Sequence, residues 1–203
     1  KIIGHFSGSS EYGPRSLGNR SILADPRDSD MRNHLNIKVK HREIFRPFAP
    51  AILENKCKDY FNLSYSPFML RASKCLIKSK HIPSVLHVDG TARVQTVNKN
   101  QNLKFYKILK EFDKITGIPI ILNTSFNDAG EPLIETPLDA LICYFSTKID
   151  LLVIDNLVID SSKYSEKQRK NILNSLKLFR SKKINFDEKK CLKIITKRFN
   201  TIE

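Results

Sequence analysis

The chain is poor in several residue types: its 203 residues include no tryptophan, two methionines, seven glycines and four cysteines. The cysteines are scattered, with no Cys-x-x-Cys pair and no histidine at metal-ligand spacing. This pattern favours reduced thiols in a cytoplasmic protein over a structural zinc site. No segment reaches the roughly 18 to 20 apolar residues of a membrane span, so we expect a soluble protein with no membrane partner.

The sequence motifs of several common enzyme classes are absent as well. There is no Gly-x-x-x-x-Gly-Lys-Ser/Thr, Gly-x-Gly-x-x-Gly, Gly-x-Ser-x-Gly or His-Glu-x-x-His, so P-loop, dinucleotide, hydrolase and metalloprotease functions have no support. Serine, threonine and cysteine residues lack an adjacent base, and we predict no metal ligands. Any catalysis is then expected to act by positioning and charge stabilisation, as in phosphoryl or nucleotidyl transfer.

Positive charge is abundant but unevenly distributed. The formal net charge is +14, and residues 163–203 carry thirteen Lys and Arg against four Asp and Glu, or +9. The remaining +5 belongs to residues 1–162, so most of the basic character lies in the C-terminal segment. The composition changes near residue 161, which predicts a domain over residues 1–160 and a lysine-rich helical tail over 161–203. Because the chain begins at Lys1 in a strand-like segment, we expect it to be part of a longer chain.

The hydrophobic patterns alternate between strand and helix periods, which predicts an α/β (α+β) fold with helices flanking a sheet. Helices are predicted over residues 28–37, 103–115 and 136–146, and strands over 69–77, 85–97 and 118–122. Residues 151–154 and 157–159 predict a hairpin. The prolines of segment 46–53 predict a turn and a short edge strand. Two helices joined around residues 184–187 are predicted in the tail.

Four stretches that contain glycine, proline or small polar residues place cations and polar groups beside apolar runs. Lys40, Arg42 and Arg46 share one face if that segment is extended, and three neighbouring like charges favour a bound polyanion. A solvated edge strand protected against aggregation is the alternative. Arg93 lies inside a predicted strand, where a buried guanidinium pairs with a carboxylate such as Asp89 or with a phosphate.

Two further stretches have the composition of ligand-binding loops. Asn123, Ser125 and Asn127 follow a buried strand, the usual ligand side of an open α/β sheet, although a plain polar turn has the same composition. Arg15 and Arg20 lie among glycines that let the backbone approach a ligand. The aromatic residues of segment 56–68 indicate a core under a loop more than a base-stacking platform.

These stretches resemble the C-terminal domain of the NodU-type O-carbamoyltransferases over residues 4–159. The matching motifs are Glu-x-Gly-Pro-Arg-x-Leu-Gly-Asn-Arg-Ser-Ile-Leu-Ala-Asp-Pro-Arg from residue 11, Lys-x-Arg-Glu-x-Phe-Arg-Pro-Phe-Ala-Pro from residue 40, His-x-Asp-Gly-Thr-Ala-Arg-x-Gln from residue 87 and Gly-x-Pro-x-x-Leu-Asn-Thr-Ser-Phe-Asn from residue 117. The resemblance implies a YrdC-like twisted open sheet, with Lys40-x-Arg42 and Ser125-x-Asn127 as its paired signatures. The lysine-rich tail has no counterpart in this resemblance.

The resemblance also implies a reaction. The domain is expected to bind ATP, with Mg²⁺, and carbamoyl phosphate, and to form carbamoyl adenylate. An N-terminal actin-like domain, outside this chain, would transfer the carbamoyl group to an acceptor hydroxyl of a sugar or natural product. The implied phosphate and carbamoyl contacts are Arg15, Lys40, Arg46, Arg93, Asn123 and Ser125, with Arg20, Arg42 and Asn127 as further members of the pocket. The catalytic roles are assigned to Lys40, Arg46, Arg93 and Ser125.

Another interpretation is a non-catalytic YrdC-like module whose basic surface and tail hold RNA or another polyanion. The intact set of pocket residues favours the enzyme, and nucleic acid is not the expected partner. Tail helices that pack on the body or on a partner domain are a third interpretation, because their apolar stripes suit packing. The sequence leaves a homodimer open.

Overall fold

An eight-stranded mixed sheet forms the centre of the molecule in a computed structural model, which describes residues 1–76 and 81–181. The strands are β1 (Ile2–Phe6), β2 (Arg20–Ala24), β3 (Ala49–Leu53), β4 (Arg71–Lys74), β5 (Thr91–Val97), β6 (Ile120–Ser125), β7 (Leu151–Ile154) and β8 (Leu157–Asp160). The helices are α1 (Met31–Lys38), α2 (Cys57–Tyr60), α3 (Leu103–Thr116), α4 (Pro137–Ser146) and α5 (Glu166–Ser181). The predicted α+β class, an open sheet with flanking helices, is confirmed.

The order of the strands is β4-β5-β3-β6-β2-β1-β7-β8. Only β3 with β5 and β1 with β7 run parallel among these neighbours; the other pairs are antiparallel. β3 is therefore an interior strand, buried over its whole length, and the prediction of an edge strand there is wrong. Pro50 is tolerated because the parallel ladder with β5 starts one residue later, at Ala51.

The two faces of the sheet follow the period-two alternation of the strands. One face carries Ile22, Ile52 and Leu122 in the larger core, to which α4 also contributes. The other face carries Ala51 and Ile121, which pack with α3 in a second apolar cluster. Along this second face the apolar side chains give way to polar ones, and that change positions the site described below.

The boundaries of α3 and α4 follow their capping signals. Helix α3 begins where the Asn102 side chain accepts a hydrogen bond from the Phe105 amide, and it ends at Gly117, which has a φ of 70°. Helix α4 begins with a capping box between Thr136 and Asp139. Both helices and the β7–β8 hairpin are confirmed as predicted. Helix α1 begins at Met31, three residues later than predicted.

Two predicted strands are shorter in the structure. The strand predicted over residues 69–77 is β4, limited to Arg71–Lys74, and its predicted end lies outside the described residues. The strand predicted over 85–97 is β5 alone, preceded by a 3-10 turn at Pro83–Val85. The Asp89 carboxylate accepts hydrogen bonds from the backbone and hydroxyl of Thr91, which holds a turn where the strand was expected to continue.

Helix α5, the first part of the lysine-rich tail, packs against α4. Its partly buried Ile172, Leu173 and Leu176 contact the larger core. Arg169, 9% exposed, donates from Nη2 to the carbonyls of Tyr144 and Thr147 at 2.9 and 2.8 Å. This first helix is thus an extension of the core. The second predicted tail helix lies outside the described residues.

None of the helices within residues 1–76 and 81–181 is long and apolar enough to cross a membrane.

Candidate active site

A small cavity of about 110 Å³ lies on the α3 side of the sheet, beyond the apolar cluster. Among the described residues its lining includes three arginines but no aspartate or glutamate: Pro14, Arg15, Ser16, Arg42, Pro47, Phe48, Ala49, Met69, Arg93, Asn123, Thr124 and Ser125. Such a lining suits a small anion, because each arginine supplies a fixed charge and several N–H donors.

The floor of the cavity comes from three adjacent strands. Arg93 lies on β5, Ala49 begins β3, and Asn123 and Ser125 end β6. Ala49 pairs with Asn123. Ala51 pairs with Gln95, which lies two residues after Arg93 on β5. The side chains therefore point to one face, and the small alanines of the intervening strand leave room above it.

The loop before β2 forms one wall and is held by a single carboxylate. Glu11 Oε1 accepts hydrogen bonds from the backbone amides of Leu17 and Asn19 at 2.8 and 2.6 Å. Gly18 closes this loop with a φ of 122°, and a Cβ atom there would lie 2.5 Å from the Phe105 ring. These contacts place the exposed Arg15 at the mouth of the cavity.

The arginines of the site repel one another, and Arg42 and Arg93 are partly buried. Burial lowers the pKa of Arg93, and the nearby charge of Arg15 lowers it further. Burial also lowers the pKa of Arg42; repulsion from Arg46 and Arg93 adds to the effect, and attraction to Glu43 opposes it. Arg93 forms no ion pair within the described residues, and its buried Nε has no hydrogen-bond partner there. A bound anion would satisfy both the charge and the donor.

Lys40 lies behind the wall of the cavity and connects the two signature pairs. The residue is only 4% exposed. Its Nζ donates to Ser125 O and Oγ at 2.6 and 3.2 Å, and to Asn127 O and Oδ1 at 3.0 and 2.6 Å. Ser125 Oγ in turn donates to Asn127 Oδ1 at 2.7 Å. Burial, reinforced by Arg42, lowers the pKa of Lys40 to about 7. Lys40 thus fixes the end of β6 and carries a charge that titrates near neutral pH.

The structure does not place Lys40, Arg42 and Arg46 on one extended face, and that expectation is wrong. The segment turns after α1, with His41 at a φ of 43°, because Asn36 holds it from α1. Asn36 Nδ2 donates to the carbonyl of Arg46 at 2.9 Å, and Arg42 Nε donates to Asn36 Oδ1 at 2.8 Å. Lys40 therefore points inward while Arg42 lines the cavity.

The predicted residues divide into two groups. Arg15, Arg42, Arg93, Asn123 and Ser125 line the cavity, whereas Lys40, Asn127, Arg46 and Arg20 do not. Lys40 and Asn127 support Ser125 from behind, and the exposed Arg46 lies 3.9 Å from Glu43. Arg20 is buried, donates to the carbonyls of Ser7 and Gly8 at 2.9 and 2.8 Å, and stacks on Phe6.

Arg93 does not pair with Asp89, the carboxylate considered from the sequence, because the Asp89 side chain bonds to Thr91.

Three residues that organise the site were not among the predicted site residues: Glu11 and Gln95, which stand in the quoted motifs, and Asn36. Gln95 carried a usable signal, because it follows Arg93 by two residues on the same strand and must share its face. Glu11 and Asn36 bond to backbone groups six or more residues away along the chain, and local patterning does not reveal such contacts.

The fold and the site define an α+β domain built around a small cationic cavity. Residues 1–161 match the family model described as carbamoyltransferase C-terminus. The chain belongs to this family, and the resemblance inferred from the sequence is confirmed.

Named relatives extend this match. The chain is 44% identical to nodulation protein NolNO of Sinorhizobium fredii over 167 residues, which are 78% of this chain and 24% of that protein. It is 44% identical to nodulation protein U of the same species over 133 residues, 64% of this chain and 24% of that protein. Uncharacterized protein sll1178 of Synechocystis is 40% identical over 190 residues, 83% of this chain and 31% of that protein. The chain thus spans about a quarter to a third of these relatives.

Proposed function

We propose that this chain is the adenylating domain of an O-carbamoyltransferase, which binds ATP and carbamoyl phosphate and forms carbamoyl adenylate. The observation that carries the proposal is the arginine-lined cavity without a carboxylate, together with the unpaired Nε of Arg93. The volume of about 110 Å³ suits an anion of few non-hydrogen atoms. Membership of the carbamoyltransferase family makes carbamoyl phosphate the natural anion.

The proposed reaction uses the charge and the positioning that the cavity offers, and it needs no protein nucleophile. Cys143 is buried and its pKa is raised by burial to about 12, so it stays a thiol. In the proposed reaction water releases phosphate from carbamoyl phosphate, leaving carbamate. A carbamate oxygen then attacks the α-phosphorus of ATP, and the bond to pyrophosphate breaks. Arg15, Arg42 and Arg93 would stabilise the negative charge of these phosphoryl groups in the transition state.

Magnesium is expected to enter with the nucleotide. Within residues 1–76 and 81–181 no group of three or more His, Cys, Asp or Glu side chains could hold a metal ion, so the residues present do not fit a resident Mg²⁺ site. Mg²⁺ bound mainly by substrate phosphates and water needs no such group. The transfer of the carbamoyl group to an acceptor hydroxyl is proposed for an N-terminal actin-like domain, which would account for the greater length of the relatives.

The experiment that tests this function is pyrophosphate release by the 203-residue chain with ATP and Mg²⁺. Release that requires carbamoyl phosphate is expected, and isothermal titration should show that both ligands bind. Arg93→Met should lose the release, while Arg27→Met, a matched surface arginine paired with Asp25 at 2.6 Å, should retain it. A folded chain that binds neither ligand would contradict the proposal.

A further inference from the structure

The Asn123 side chain has an unsatisfied buried acceptor. Asn123 is 1% exposed, and its Nδ2 donates to Ser16 O at 3.1 Å and to Gln95 Oε1 at 2.8 Å. Its buried Oδ1 has no hydrogen-bond partner within the described residues, although Asn123 lines the cavity. A buried acceptor left without a donor is costly. The site therefore calls for a ligand N–H at this point.

Two main-chain carbonyls fix which atom of each amide faces the cavity. Gln95 Nε2 donates to Leu17 O at 2.8 Å. A carbonyl only accepts, so Gln95 must turn its nitrogen to Leu17 and its oxygen to Asn123. Ser16 O attracts Nδ2 of Asn123 in the same way. With both acceptors holding Nδ2, Oδ1 is the atom that the Asn123 amide leaves available to a ligand.

The sheet explains why Gln95 can reach Asn123. The two residues lie on β5 and β6, which are separated by β3. Gln95 is registered with Ala51 and Asn123 with Ala49. The small alanines of β3 leave space for the two amides to meet above that strand, and a larger residue there would separate them.

We infer that Gln95 is a positioning residue that selects the carbamoyl group by holding Asn123 Oδ1 toward its NH₂. The inference rests on the proposed function. The NH₂ of carbamoyl phosphate donates hydrogen bonds, whereas the similarly sized methyl group of acetyl phosphate does not. A site whose buried polar group needs a partner rejects the analogue that lacks it. The arginines bind the phosphate of both compounds alike, so the discrimination lies with the amide pair.

The test compares the affinities of carbamoyl phosphate and acetyl phosphate for the 203-residue chain by isothermal titration. The unaltered chain should prefer carbamoyl phosphate. In Gln95→Met the affinity for carbamoyl phosphate should fall about tenfold, while that for acetyl phosphate changes less than about twofold. Gln101→Met is the matched control, because Gln101 is exposed and has one bond of 3.4 Å to Tyr65; both affinities should stay unchanged.

A second variant separates positioning from simple support of the cavity. Gln95→Glu keeps an oxygen toward Asn123 but removes the N–H that Leu17 O accepts. The ratio of the two affinities should be retained, even where the added negative charge and the lost bond to Leu17 weaken both. An equal loss for both compounds in Gln95→Met, no loss at all, or a lost ratio in Gln95→Glu would overturn the inference while leaving the proposed function intact. Failure of the unaltered chain to bind carbamoyl phosphate would instead overturn the proposed function and this inference together.

Discussion

Arg93 is the residue whose replacement most sharply separates a ligand-binding role from a structural one. Its guanidinium is half-buried on β5, lacks an ion-pair partner among the described residues and is repelled by Arg15. Methionine keeps most of the aliphatic stem and removes the charge. Arg93→Met should therefore weaken the binding of carbamoyl phosphate without lowering the stability of the fold.

The expected loss of affinity in Arg93→Met follows from the hydrogen bonds to the anion that are lost. A hydrogen bond to a charged group contributes about 1.5 to 3 kcal/mol, which corresponds to a loss of affinity of about tenfold to 150-fold. Breaking a buried ion pair would instead cost about 3 to 5 kcal/mol of folding free energy. Because Arg93 has no such pair and suffers repulsion, we expect the melting temperature to stay the same or rise.

Isothermal titration measures the affinity for carbamoyl phosphate, and thermal melting of the same samples measures the stability of the fold. Arg27→Met is the control, since Arg27 lies on the surface beside Asp25, and its affinity should be unchanged. Unchanged affinity in Arg93→Met would refute the assignment of the site. A melting temperature lowered by several degrees would show that Arg93 is a structural cation.

Three further predictions concern the supports of the site. Because the pKa of Lys40 is lowered to about 7, its charge is present below that pH and lost above it. The affinity for sulfate, used as a simple anion probe of the cavity and measured by isothermal titration, should therefore fall about fivefold from pH 6 to 8.5. Lys40→Met should abolish this pH dependence. Glu11→Ala removes an acceptor of two short amide hydrogen bonds and should lower the free energy of unfolding by about 1 to 3 kcal/mol, with weaker sulfate binding. Arg169→Met should lower the free energy of unfolding, measured by denaturant titration, by about 2 to 3 kcal/mol with unchanged sulfate affinity, because Arg169 joins α5 to the core.

Controls for these predictions come from the same chain. His41→Asn removes an exposed histidine 2.7 Å from Asp128 and keeps a residue tolerant of positive φ; the pH dependence should survive it. A dependence that persists in Lys40→Met would contradict the assignment of the titrating group. Glu135→Ala, at a surface bond to Ser10, should leave both stability and affinity unchanged. Sulfate binding lost in the Arg169 variant would mean that α5 contributes to the site.

Helices α3 and α4 and the β7–β8 hairpin could be predicted because their signals are local. The Asn102 cap, the Gly117 stop and the Thr136 capping box are written within a few residues of the boundaries they set. The position of β3 could not be predicted, since Pro50 excludes an interior strand only when its missing N–H is needed. Whether it is needed depends on where the ladder to β5 begins.

The site, like the fold, could be predicted only where the signal is local in the sequence. Arg93, Asn123 and Ser125 follow from strand alternation and from the polar residues that end a buried strand. The geometry of Lys40 was not predictable, because Asn36 bends the chain that carries it and Ser125, 85 residues further along, receives its hydrogen bonds. Such long-range polar contacts decide which of several neighbouring cations enters the cavity, and a linear pattern does not record them.

The most direct test of the central claim is to detect the product itself. The 203-residue chain would be incubated with ATP, Mg²⁺ and ¹³C-labelled carbamoyl phosphate, and the mixture analysed by ³¹P NMR and mass spectrometry. The account predicts labelled carbamoyl adenylate with pyrophosphate and phosphate in equal amounts, and none from Arg93→Met. A folded chain that binds both substrates but forms no adenylate and releases no pyrophosphate would contradict it.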